Sequence, residues 1–298
     1  MNRYSNRKDR RRRSRRGRPE GRSVQIAALA AIPVISIAGG GAALTWYSGI
    51  EKQDNAYCYL REDQHVEAVF IDNSLTHQIT STQLRDYETT LSNIYESAPP
   101  NSRILIFTTA LDQRGSVVRS TFDGCKPPST PSEQAAIGAP KQTPQLLLKR
   151  GAEARETYIG HIKEMLETAR DESKIAMDSP ILEQLQGISR HPTYQGRSRS
   201  LTVITDGLQN SRIARFCQVE NDMPPFKLFK KRNAYREVEP RGFDDVDVNF
   251  NIVEFGELPT PSLKYCTNLE VANLWRDYFV SNGAREVEVS KLRYWSGE

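Results

Sequence analysis

The stretch VFIDNSLT, residues 69–76, contains an apolar run that ends at Asp72 and is followed by hydroxyl side chains at alternate positions, Ser74 and Thr76. Such a short run of large apolar residues is typical of a buried strand. A carboxylate and two hydroxyls directly after a strand are hard oxygen groups, the ligands that Mg²⁺ and Ca²⁺ prefer. We therefore expect part of a metal-dependent binding site here, rather than a general acid or base.

A second apolar run, LTVITDG at residues 201–207, also ends in an aspartate, Asp206. Around the two runs, strand patterns alternate with helical ones. Strands are predicted at 65–72, 103–110, 116–122, 201–205, 246–255 and 286–295, and helices at 81–97, 146–172, 179–189 and 269–282. The alternation predicts an α/β sandwich with a mostly parallel sheet, and the hairpin between the second and third strands adds one antiparallel edge strand. Ligands of such folds bind beyond the carboxyl ends of the strands.

Two segments are predicted to be irregular, a Pro-, Ser- and Thr-rich loop at 124–144 and a surface segment at 211–246. Between them, Ser179 followed by Pro180 is typical of a helix start, with the serine as the cap.

Charge is distributed unevenly along the 298 residues. The first 22 residues contain eleven Arg and Lys but only two acidic residues, a net charge of +9 within a whole-chain charge of +4, which leaves −5 for the rest. The mildly acidic remainder shows no basic patch that would indicate nucleic acid as a partner. The basic tail itself fits a determinant of membrane topology or a contact with anionic lipid.

Residues 23–50 contain no charged residue and are long enough to span a bilayer. With the Arg-rich border on one side and Trp46 and Tyr47 near the other, the segment is predicted to be an uncleaved single-pass anchor. Its orientation would leave the amino terminus in the cytoplasm and the globular part in the periplasm or outside the cell. A cleaved signal peptide is the alternative, although no clear A-x-A site precedes Glu51.

The order strand, D-x-S-x-T, helix, hairpin, helices and an apolar strand ending in T-D-G resembles a von Willebrand factor A-type (vWA) domain over residues 65–296. The resemblance implies a three-layer αβα, Rossmann-like sandwich. The predicted organisation is then a basic cytoplasmic tail (1–22), a transmembrane helix (23–50), a polar linker (51–64) and a vWA-like domain (65–298).

The metal-ion-dependent adhesion site of that family has the motif D-x-S-x-S, a threonine from a middle loop and a later aspartate. By this resemblance Asp72, Ser74, Thr76 and Asp206 would bind Mg²⁺ or Ca²⁺. The middle threonine has no direct counterpart, and Ser179 is the best positional match, with Thr143 as the alternative. A degenerate, metal-free site is also compatible with the resemblance.

The four cysteines allow three disulfide pairings, or free thiols. In the order of strands that the resemblance implies, Cys58 and Cys125 lie at one end of the sheet, and Cys217 and Cys266 follow neighbouring strands at the other. We therefore expect the disulfides Cys58–Cys125 and Cys217–Cys266.

These observations favour a membrane-anchored module that binds an unidentified partner protein outside the cytoplasm through a divalent cation. The alternative is a structural component of a cell-envelope assembly, because residues 20–41 resemble the anchors of Tad-type pilus-assembly proteins. A third hypothesis, a hydrolase using the same carboxylates, lacks a nucleophile motif, since neither a phosphate-binding Gly loop nor G-x-S-x-G is present. We expect the chain not to be an enzyme.

Overall fold

The computed structural model describes residues 53–59, 64–72, 81–109, 118–169, 178–195, 198–217, 223–253 and 266–292. Within these ranges the elements are, in chain order, β1 (Val66–Ile71), α1 (Ser81–Ser97), β2 (Arg103–Thr108), β3 (Phe122–Cys125), α2 (Pro131–Ala136), α3 (Pro144–Ala169), α4 (Ile181–Ser189), β4 (Arg199–Thr205), α5 (Phe226–Phe229), α6 (Asn233–Val238), β5 (Val246–Val253), α7 (Asn268–Ser281) and β6 (Glu286–Leu292).

The strands form one sheet in the order β3-β2-β1-β4-β5-β6. Every neighbouring pair is parallel except β2 and β3, which run antiparallel. With helices packed on both faces, this is the three-layer αβα sandwich with one antiparallel edge strand that the sequence predicted. The chain order reverses between β1 and β4, so the carboxyl ends of these two strands border the crevice where such folds bind ligands.

The third strand is not where the sequence predicted it. We expected 116–122, but β3 is Phe122–Cys125, with Cys125 opposite Arg103 of β2. The apolar Val118 belongs instead to the core under α4. It packs so closely on Gly187 of α4 that a Cβ atom at position 187 would lie 2.0 Å from the Val118 Cγ2 atom. Non-local contacts of Cys125 therefore define this strand better than the apolar pattern before it.

Three short helices, α2, α5 and α6, lie in the two segments predicted to be irregular. In α2 the Thr130 side chain accepts from the Glu133 N–H and the Glu133 carboxylate accepts in return, a capping box that the letters TPSE contain. The other two, α5 and α6, are joined by aromatic contacts such as that of Phe226 with Tyr235, whose centroids are 5.5 Å apart. Their stability therefore comes from tertiary packing.

The first face of the sheet is covered by α4 to α7 and carries the larger core. Phe250 of β5 stacks on Trp275 of α7 with ring centroids 5.2 Å apart, and both side chains are fully buried. Alternate residues of β1, β4 and β5 complete this layer, which explains the strict alternation of β5 in the sequence.

The second face is apolar over only part of its width. Over β1 and β2 it is covered by α1 and α3, and the Tyr158 hydroxyl of α3 donates to the Leu91 carbonyl of α1 at 2.8 Å. Over β5 and β6 the same face is polar, because Asn249 and its neighbour Glu288 are both exposed. This half of the sheet has its apolar core mainly on the first face.

Both expected disulfides are present. Cys58–Cys125 joins the segment before β1 to β3, and Cys217–Cys266 joins the loop after β4 to the start of α7. Cys58 and its neighbour Tyr59, within the segment predicted as a linker, are buried against the domain.

Several sequence predictions lie outside the described residues, namely the basic tail (1–22), the membrane anchor (23–50), Ser74 and Thr76. Among the helices that the structure does describe, none combines the length and apolarity needed to cross a bilayer.

Removal of the Cys58–Cys125 bond should lower the free energy of unfolding, because the bond closes a loop between residues 67 positions apart. We expect the Cys58→Ser/Cys125→Ser variant to lose about 2–5 kcal/mol, measured by urea unfolding. Reduction of the unaltered protein should cost at least as much, since it opens both disulfides. A variant that unfolds at the same urea concentration as the oxidised parent would contradict a stabilising role for this bond.

Candidate functional site

The carboxyl ends of β2, β1 and β4 place three polar residues side by side. The Asp72 N–H donates to Ile204 O of β4 at 2.9 Å, and the Thr109 N–H donates to Ile71 O of β1 at 3.3 Å. The parallel pairing thus brings Asp72, Thr109 and the last residue of β4, Thr205, to one edge of the sheet.

The Asp72 carboxylate is the centre of this cluster. Its Oδ2 atom accepts hydrogen bonds from Ser179 Oγ at 2.5 Å and Thr205 Oγ1 at 2.9 Å, and its Oδ1 atom accepts one from Thr109 Oγ1 at 3.3 Å. All four side chains are buried. Three hydroxyl donors therefore compensate the desolvation of one carboxylate.

Backbone hydrogen bonds hold Ser179 beside this cluster. Its N–H and C=O exchange hydrogen bonds with Asn210, both at 2.8 Å, which fixes it against the loop after β4. The predicted cap role of Ser179 is wrong, because Pro180 is the N-cap residue of α4, without a side-chain cap bond, and the serine hydroxyl bonds Asp72. Gln209 supplies the missing acceptor, since its Oε1 atom accepts from the Leu182 N–H at 2.8 Å.

Asp206 follows Thr205 on a tight turn. Its Oδ1 atom accepts from the Leu208 N–H at 2.9 Å. Gly207 has a φ of +76°, and a Cβ there would lie 2.6 Å from Val271 Cγ1, so the turn requires glycine. The Trp275 indole N–H donates to the Gly207 carbonyl at 2.9 Å and joins the turn to α7.

Burial and the nearby charge of Asp72 raise the pKa of the Asp206 carboxyl to about 8, although the Leu208 N–H opposes the shift. The side chain keeps partial solvent exposure, whereas Asp72 is 6% exposed. Two carboxylates therefore share one poorly solvated place, where the charge of Asp72 disfavours ionisation of Asp206.

The structure brings together three of the five predicted ligands, Asp72, Ser179 and Asp206. The alternative, Thr143, is exposed, and its hydroxyl accepts from the Leu146 N–H at the start of α3. Two carboxylates with neighbouring hydroxyls are a donor set that fits a hard divalent cation. The described residues hold no group of three or more His, Cys, Asp or Glu side chains placed for a metal ion.

Sequence reasoning missed Thr109, Thr205 and Gln209. The two threonines could have been found from their position, since each stands at the end of an apolar strand next to a predicted ligand strand. Gln209 gives no local signal, because its role depends on the fold bringing α4 beside the loop after β4.

No protein-family model and no curated protein matches the chain. Solved structures with a similar arrangement include a von Willebrand factor type A protein from Catenulispora acidiphila, at 10% identity over 78% of this chain and 39% of that one, with a TM-score of 0.35. BatB from Bacteroides thetaiotaomicron is 14% identical over 78% of this chain and 91% of its own, with a TM-score of 0.34.

The pilus adhesin SpaC from Lactobacillus rhamnosus GG is 10% identical over 82% of this chain and 29% of that one, with a TM-score of 0.40. At such identities no functional residue can be transferred from these proteins to this chain.

Proposed function

We propose that this chain is a membrane-anchored, vWA-like protein-binding module that uses a divalent cation, Mg²⁺ or Ca²⁺, to bind a partner protein outside the cytoplasm. Asp72, Ser179 and Asp206 would hold the cation, together with Ser74 and Thr76 of the same sequence motif. A bound cation would supply a positive charge at the carboxyl edge of the sheet that can accept a carboxylate of the partner.

The observation that carries this proposal is the pairing of Asp72 with Asp206. Both carboxylates lie at one sheet edge, the pKa of Asp206 is raised to about 8, and three hydroxyls converge on Asp72. A divalent cation would offset the repulsion between the two carboxylates, since its positive charge favours the ionised form of Asp206.

Export is supported by two independent features. Disulfides persist mainly in oxidising compartments, and both pairs of cysteines in this chain are bonded. The uncharged segment 23–50 after an Arg-rich tail has the charge asymmetry of a membrane anchor with a cytoplasmic amino terminus.

The second candidate is a structural role in a cell-envelope assembly, with a degenerate, metal-free site. One observation favours it: Ser179, Thr205 and Thr109 all donate hydrogen bonds to the Asp72 carboxylate, a set of protein contacts that can compensate its burial. In this candidate, the three hydrogen bonds have a purely structural role, which is to join β1, β2, β4 and α4. Metal titration separates the two candidates.

Replacement of Asp72 by Asn should weaken Mg²⁺ or Ca²⁺ binding at least about tenfold in calorimetric titration of the purified chain, because it removes one of two site carboxylates. The matched control is Asp244→Asn, which removes an equal charge from an exposed residue before β5, at the opposite edge of the sheet, and should leave metal affinity unchanged. Absence of binding to the parent protein would favour the metal-free candidate.

Asp206→Asn should stabilise the metal-free protein at alkaline pH. The folded-state pKa of Asp206 is raised to about 8 from its ordinary value of 3.8. Between these values the folded state retains a proton that the unfolded state has lost, so stability falls as pH rises. In EDTA we expect the variant to unfold at higher urea than the parent near pH 9, with the difference shrinking towards pH 4. An equal difference at both pH values would show that Asp206 does not titrate in this way.

Partner binding tests the function itself. Crosslinking in the native membrane should capture a protein partner in the presence of Mg²⁺, and both EDTA and Asp72→Asn should reduce its yield. Capture that is unchanged by either treatment would refute the cation mechanism.

A further inference from the structure

A cavity of about 530 Å³ opens directly beside the candidate metal ligands. We call it the arginine pocket, and its lining residues are Asp178, Ser211, Arg212, Ile213, Ala214 and Arg215. Asp178 precedes Ser179 in the chain, and Ser211 follows Asn210, the backbone partner of Ser179. A group bound in the pocket would therefore lie next to the carboxyl edge of the sheet.

The loop that forms the arginine pocket is held by hydrogen bonds within itself and to the core. Asn210 is bridged to both Ser179 and Arg215, and the Ser211 N–H donates to Ala214 O at 2.9 Å. The Ser211 hydroxyl accepts from Gln209 Nε2 at 2.8 Å. Beyond the pocket the chain continues into the buried Cys217, which is bonded to Cys266. The backbone positions of the two arginines are thus fixed relative to Ser179.

The two guanidinium groups are only weakly compensated. Arg212 lies 3.5 Å from Glu237, with side chains 86% and 57% exposed, and an ion pair so exposed contributes little. Arg215 is exposed and forms no ion pair in the described part of the chain, and the same holds for Asp178. Planar guanidinium groups bind carboxylates in a bidentate manner, which suits them to an acidic ligand.

We propose that the arginine pocket is a second subsite for anions. One carboxylate of the partner segment would approach the cation, and a second acidic side chain of the same segment would bind in the arginine pocket. This inference rests on the proposed function and specifies its partner: an acidic peptide segment with at least two carboxylates. Asp178 on the rim opposes this attraction, but two arginines against one aspartate leave the lining side chains with a net charge of +1.

The test uses the purified full chain and a short oligo-glutamate peptide, with an oligo-glutamine peptide of the same length as the neutral control. In Mg²⁺ we expect the acidic peptide to bind and the neutral one not to bind. Arg212→Gln/Arg215→Gln should weaken binding about five- to tenfold, because two exposed ion pairs are lost. Asp178→Asn should act in the opposite direction and strengthen it.

The matched control is Arg85→Gln/Lys163→Gln, which removes the same charge from exposed positions on α1 and α3 in the other helical layer. It should leave peptide affinity unchanged. An effect as large as that of the pocket variant would show that the net charge of the protein, and not the arginine pocket, determines peptide binding, and would overturn the proposal. Neither double variant should lower Mg²⁺ affinity or the urea midpoint, so weaker peptide binding cannot be ascribed to a lost cation or to unfolding.

The outcomes separate this inference from the proposed function. Binding that is lost in EDTA but unaffected by the arginine variant overturns the subsite and leaves the cation mechanism intact. Binding that requires the arginines but survives EDTA supports the subsite and overturns the cation mechanism. Equal binding of the acidic and neutral peptides overturns the subsite outright.

Discussion

The hydrogen-bonded carboxylate of Asp72 is the interaction on which the carboxyl edge of the sheet depends. A buried charge is tolerated only when it is compensated, and here the compensation comes from residues after β2, at the end of β4 and before α4. One side chain thereby joins the central strand to both its neighbours and to a helix of the first layer. The parallel pairing on either side of β1 makes this possible, because it brings the strand ends to the same level.

The loop after β4 adds charged side chains around Asp72 and exposes some of them to solvent. Its first turn places Asp206 near Asp72 and is anchored on α7 by the Trp275–Gly207 hydrogen bond. Its second part pairs with Ser179 and then presents Arg212 and Arg215 to solvent. A single loop therefore determines both the second carboxylate and the positive charge beside it, which is why we assign the two features to one ligand.

Much of the fold was readable because its signals are local. The sheet edge was predicted from the apolar runs of β1, β2 and β4 and from Asp72 and Asp206, the aspartates that follow two of them. The disulfide pairing followed from the family resemblance. Two predictions were wrong for one reason, which is that each feature depends on a partner far away in sequence. The position of β3 depends on the bond between Cys125 and Cys58, and the role of Ser179 depends on its hydrogen bond to Asp72. Gln209 was missed for the same reason. Ser74 and Thr76 remain predictions.

The polar half of the second face has a consequence for motion. β1 and β2 are held between two apolar layers, whereas β5 and β6 have their apolar core mainly on one side. Among the described strands, β6 is also the last one at its edge of the sheet. Opening free energy follows buried apolar area, so the sheet is graded from a rigid centre to a more easily opened margin. The candidate site lies at the ends of the central strands, whose amide hydrogens we expect to exchange more slowly than those of β6.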